Sequence, residues 1–78
     1  MKKQDLIENY NLNLDFEESD NNFNGLYDLI VDYTIATPEE IALVININRQ
    51  STETLLDIVY ARTGLRSLEQ LLSDLGQD

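Results

Sequence analysis

Apolar residues recur at helical spacing through most of the chain, and the stretches between them are rich in Asn, Asp and Ser. Leu6, Ile7 and Tyr10 share one face and predict a short helix over about Lys3 to Tyr10. From Tyr10 the pattern changes. Tyr10, Leu12, Leu14 and Phe16 alternate with Asn11, Asn13 and Asp15, which predicts an extended segment at 10–16. Glu17 to Asn22 is polar and reads as a loop. A second helix is expected over about Asn22 to Tyr33, with Leu26, Ile30 and Tyr33 as its stripe, Phe23 and Leu29 beside them, and Asp28 and Asp32 outward. The same region also alternates through Tyr27, Leu29, Val31, Tyr33 and Ile35, so a hairpin of this segment with residues 41–47 is the rival arrangement.

The third helix carries stronger start signals. Thr37-Pro38-Glu39-Glu40 supplies an N-cap, proline at the first helical position and a capping-box glutamate. Ile41 to Ile47 is apolar almost all round, which predicts a central, buried helix despite its β-branched content. The fourth helix starts after Ser51 and runs to about Thr63, with Leu55, Ile58, Val59, Leu56 and Tyr60 forming its apolar side. Gly64 then suits a left-handed cap, with Leu65 folding back on Tyr60 or Val59. A last helix begins at Ser67, with Gln70 completing a capping box. Leu68, Leu71, Leu72 and Leu75 form its stripe, and Gly76 ends it. The expected fold is all-α: one domain over 1–78, a compact bundle of four to five short helices with an extended stretch at 10–16.

Length sharpens this picture. A chain of 78 residues forms one domain with a small core, worth on the order of 3–5 kcal/mol. Homo-oligomerisation would relieve so small a core. There is no cysteine, which fits a reducing compartment, and no apolar run of membrane-spanning length. The start Met1-Lys2-Lys3-Gln4-Asp5 has no apolar stretch behind it and does not read as a signal peptide. A cytoplasmic location is expected.

Charge changes the picture more. Net charge is −10, from 15 acids and five bases. Between Gln4 and Asn48 there is no cation, while that stretch holds ten acids. Eight of them, Asp15, Glu17, Glu18, Asp20, Asp28, Asp32, Glu39 and Glu40, crowd together and are the candidate binding face. Such a field repels nucleic acid and anionic membrane and attracts basic protein surfaces.

Chemistry is sparse. The chain has no His and no Cys, its serines and threonines read as caps, and no glycine-rich phosphate loop is present. No enzymatic activity and no cofactor are expected. One partial metal motif exists. Asp20, Asn22, Asn24, Gly25 and Asp28 follow the opening of a calcium loop, but Val31 stands where a bidentate acid belongs. An Asx-rich turn capping the second helix accounts for the same residues.

Pro38 to Leu56 resembles the helix-turn-helix family in spacing. Ile41, Ala42, Ile45, Ile47 and Leu55 take its apolar or small positions, and Arg49, Gln50 and Ser51 would open a recognition helix. Asn46 replaces its turn glycine and Thr52 an apolar core residue. The resemblance implies DNA contact through Arg49, Gln50 and Ser51, and the surrounding acids Glu39, Glu40, Glu53 and Asp57 oppose it. At class level, in size and charge, the chain also resembles small acidic inhibitors of nucleic-acid enzymes: antirestriction and anti-CRISPR proteins of mobile elements, and nuclease immunity proteins. The immunity likeness touches Asp32-Tyr33-Thr34 and the helix Glu39 to Ile47, without that group's paired-tyrosine helix. What this likeness implies is a phage or mobile-element protein that occludes a basic cleft by mimicking nucleic acid. Two other readings stand beside it. One is an adaptor or oligomer subunit using Tyr10, Leu12, Leu14, Phe16 and the leucine helix. The other is a helix-turn-helix regulator.

Overall fold

A computed structural model describes residues 2–76; Met1, Gln77 and Asp78, the ends of the expected 1–78 domain, lie outside it. The order is α1 (Lys3–Asn9), a 3-10 turn (Asp20–Asn22), α2 (Phe23–Asp32), α3 (Pro38–Ile47), α4 (Thr52–Thr63) and α5 (Leu68–Gly76). Among the described residues there is no strand, so the fold is all-α and the hairpin alternative for 26–47 does not form. α1 packs on α5, and α4 packs on both α2 and α3. One core gathers Leu6, Leu26, Leu29, Ile30, Ile41, Leu55, Val59 and the α5 leucines Leu68, Leu71 and Leu72. None of the helices is long and apolar enough to cross a membrane among the described residues.

The helix ends follow local chemistry. Thr37 Oγ1 accepts from Glu40 N (3.2 Å), and the Glu40 carboxylate accepts from Thr37 N (3.1 Å), the reciprocal capping box. Ser51 Oγ accepts from Thr54 N at the start of α4. At α5 half of the expected box forms. Ser67 Oγ accepts from Gln70 N, but the Gln70 side chain reaches Arg66 N instead of Ser67 N.

Three helices end through left-handed residues. α1 closes with Asn11 at φ 52°, with Leu12 N donating to Ile7 O and Asn11 N to Glu8 O. α2 closes in the same way around Thr34 at φ 57°, with Ile35 N donating to Ile30 O. Both are Schellman motifs. Gly64, at φ 78°, ends α4 as expected, and Leu65 is half-buried against the core. Asn tolerates this conformation; a β-branched Thr does so at a cost. Thr34→Gly is therefore expected to stabilise the fold by about 0.5–1 kcal/mol, raising the thermal midpoint by a few degrees in a circular-dichroism melt. An unchanged or lower midpoint would mean Thr34 is not strained.

Several expectations are corrected. Residues 10–16 are turns, not an extended segment: Leu12 is buried and Leu14 half-buried, but no strand lies beside them. Their ladder partner is instead a side chain, described below. α3 is not central and buried. Only Ile41 is fully enclosed, Val44 and Ile45 are half-buried, and Leu43 and Ile47 are 64% and 80% exposed. The core has room for one side of α3, and the helix is apolar on two. Gly76 does stand at the end of α5, and its size has a second effect: a Cβ there would lie 2.6 Å from Lys3 N, so it lets α5 meet the first turn of α1. Finally, the leucines of α5 face the core of the single chain, and of the aromatic and leucine set at 10–16 only Phe16 is strongly exposed.

Candidate functional site

The eight candidate acids divide between structural duties and open solvent. Three have internal partners. Glu17 Oε1 accepts from Leu68 N at 2.7 Å and so caps α5 from 51 positions away, where the helix dipole favours a carboxylate. Asp32 accepts from the Tyr10 hydroxyl at 2.7 Å. Glu40 closes its own capping box and pairs with Arg62 of α4. Asp15, Glu18, Asp20, Asp28 and Glu39 are exposed and form no side-chain hydrogen bond or ion pair among the described residues.

The acids do not form one continuous face. Glu18 lines a shallow groove of ≈ 270 Å³ with Glu53, Leu56, Asp57, Tyr60 and Arg66. Those α4 positions fall on one stripe of the helix at i, i+3, i+4 and i+7. Arg62, nine residues beyond Glu53, projects from the opposite flank of α4, and it carries Glu40 there. Glu18 and Glu40 thus lie on opposite sides of α4. Asp28 and Asp32 make a third group, one turn apart on α2 beside Tyr10. Across the Glu18 groove, Arg66 stands over the Tyr60 ring at 5.1 Å and donates to its hydroxyl at 3.3 Å.

Burial first, then the Asp32 hydrogen bond and the charges around it, push the Tyr10 hydroxyl up to about 12. The sign follows. Below pH 10 folded and unfolded chains both hold this proton; between pH 10 and 12 only the folded chain keeps it, so rising pH favours unfolding. Tyr10→Phe is expected to flatten the fall in stability across that window, measured by urea titration at stepped pH. Parallel curves for the two proteins would show that this hydroxyl plays no part.

The calcium-loop residues take another shape. Asp20–Asn22 is a 3-10 turn and Phe23–Asp32 an α-helix, so Asp20, Asn22, Asn24 and Asp28 follow a helical path instead of wrapping a cavity. Asp20, Asn24 and Asp28 face solvent. Asn22 is fully buried and turned toward the preceding loop. Its Oδ1 accepts from Asn13 N (2.8 Å), while its Nδ2 donates to the carbonyls of Asn13 (2.9 Å), Phe16 (3.1 Å) and Glu17 (3.1 Å). The amide thereby pairs with Asn13 as a neighbouring strand would. This also corrects the capping role: Asn22 precedes α2, but its side chain makes no cap hydrogen bond.

In the helix-turn-helix-like stretch, α3 and α4 do pack together across a short connection. Arg49 and Gln50 are exposed, whereas Ser51 is spent as the α4 cap. Thr52, at the position that departs from the family pattern, is fully buried and donates to Ser19 O at 2.8 Å. The outward stripe of α4 presents Glu53, Asp57 and Tyr60, the wrong charge for phosphates.

Sequence reasoning missed Leu43 and Ile47 as surface residues. Their signal was an α3 with more apolar positions than one buried side can absorb, among helices that otherwise show single stripes. Comparison with protein-family models, curated proteins and solved structures finds no match to this chain.

Proposed function

We propose that this chain is a small, non-catalytic, acidic protein-binding module that engages a basic surface, most sharply the nucleic-acid groove of an enzyme that it inhibits by occupying it. One observation carries the reading: Asp15, Glu18, Asp20, Asp28 and Glu39 are solvent-exposed carboxylates without an internal cation, in a chain of net charge −10. Carboxylates left hydrated are available to Lys and Arg of a partner, and their field accelerates the encounter. Their division into separate groups favours a partner that wraps two sides of the domain over one that reads a single flat patch.

The test uses exposed carboxylates that make no hydrogen bond or ion pair among the described residues. The immobilised chain is exposed to lysate of its source cells, bound basic proteins are purified, and their affinity is measured directly against native chain and the Asp28→Lys, Glu39→Lys variant. Affinity should fall about tenfold or more on charge reversal and again between low and high salt. Nuclease or DNA-binding activity of the captured protein should fall when native chain is added. Affinity insensitive to both salt and charge reversal would refute the proposal. Asp32, Glu17 and Glu40 are unsuitable for this test, because their replacement also disturbs the fold.

A further inference from the structure

The outer side of α3 has no role in the fold. Glu39, Ala42, Leu43, Asn46 and Ile47 are all exposed there, and helical geometry brings them onto one face. Leu43 and Ile47 stand one turn apart, a spacing that meets a matching apolar pair on a partner helix. Isolated exposed leucines are ordinary. Two large aliphatic side chains in register, 64% and 80% exposed in a domain with so small a core, are not explained by folding.

The surroundings say what covers them. Glu39 stands unpaired at the N-terminal end of this face. At the other end Ile47 borders a groove of ≈ 430 Å³ that Glu53 and Asp57 of α4 also line, together with Arg49. Carboxylates therefore bracket the aliphatic pair: Glu39 at one end, and Glu53 and Asp57 beside Ile47, which stands about 12 Å along the α3 axis from Glu39; Arg49 borders the Ile47 end. A second copy would bring the same acids against themselves at a net charge of −10 each. An anionic lipid surface is repelled for the same reason.

We infer that the outer face of α3 is a docking surface for a basic amphipathic helix of a partner protein, whose apolar stripe covers Leu43 and Ile47 and whose flanking Lys or Arg meet Glu39 and the Glu53–Asp57 edge. This deepens the acidic-module reading and rests on it. It names the surface and adds apolar burial to charge attraction, so that binding outlasts salt that would dissolve a purely ionic contact.

The experiment titrates isotopically labelled chain with two designed helical peptides of about five turns, identical in their leucine stripe and flanked by lysine in one and glutamate in the other. Backbone amide shifts should gather at Ala42–Ile47 and Glu53–Asp57 with the lysine peptide and be absent with the glutamate peptide. Leu43→Ser with Ile47→Ser should weaken binding about tenfold or more, with an unaltered melting curve because both side chains are exposed. Glu39→Lys with Asp57→Lys provides a second route to the same loss. Shifts confined to Asp15–Asp20 or Asp28, with the serine variant binding as tightly as native chain, overturn this surface while sparing the acidic module. Binding of neither peptide overturns this surface and leaves the acidic module to its own test; equal binding of both overturns both. Sedimentation that reveals self-association abolished by the serine pair also overturns it, in favour of a second copy.

Discussion

Gly25→Ala is expected to destabilise the protein by about 2–3 kcal/mol and to lower its thermal midpoint by roughly 10–20 °C, although alanine is the better helix former. Gly25 lies in the first turn of α2, where helix propensity alone would favour the alanine by about 1 kcal/mol. The contact reverses the sign. A Cβ at this position would fall 2.0 Å from the carbonyl oxygen of Tyr10 and 3.0 Å from the Leu12 side chain. The first obstacle is backbone, held by the Schellman closure of α1, and it cannot swing aside as a side chain would. Relief requires α2 to lift from the α1 end, which exposes Leu26 and Leu12. Asn24→Ala, one residue away and exposed, is the control and should leave the melt unchanged or slightly raised. Gly25→Ala as stable as native chain would show that α2 does not lie against Tyr10.

Asn22→Asp is expected to cost more than its near-identical shape suggests, about 3 kcal/mol or above at neutral pH. The amide donates to three carbonyls. A carboxylate donates to none and turns a negative oxygen toward them in a fully buried place. Asn22→Leu removes the whole network without adding charge and should cost less, about 2–3 kcal/mol. The order of the two variants is the diagnostic. Acid should partly rescue Asn22→Asp, because a buried carboxyl resists ionisation and its protonated form regains one donor. Stability of that variant therefore rises as pH falls toward the carboxylate range. Denaturant midpoints at two pH values decide it: equal costs for Asp and Leu would mean the side chain is not enclosed.

The helices were legible because their signals are local. Thr37-Pro38-Glu39-Glu40, Ser51, Gly64 and the leucines of α5 act within four residues of themselves, and each lies where its chemistry puts it. What could not be read is whatever depends on a distant partner. Glu17 looked like one more surface acid, since nothing near it announces the α5 amide it caps. Asn22 looked like a metal ligand or a cap, because Asx residues before a helix serve both more often than they tie down a preceding loop. The alternation at 10–16 is real, but a strand needs a second strand, and here one side-chain amide substitutes for it. Thr52 looked like a defect in an apolar position until Ser19 O supplied its acceptor. The apolar content of α3 was visible; which side of it would remain uncovered was not, because hydrophobicity does not record whether the complementary surface lies in the same chain. For the candidate site, the exposure of five carboxylates follows simply from their charge, whereas their distribution over separate sides of α4 and α2 depends on the packing of the whole bundle.

The loop between Asn13 and Ser19 holds no helix or strand, yet the starts of α2, α4 and α5 are all tied to it, through Asn22, Thr52 and the Glu17 carboxylate. Two of these ties span 33 and 51 positions of chain. Helices form within about a microsecond from neighbouring residues, while such long closures wait for elements far along the chain to arrive. The ties of this segment to α4 and α5 therefore form only once those helices have reached it. Loss of this one segment would release the starts of α2, α4 and α5 together.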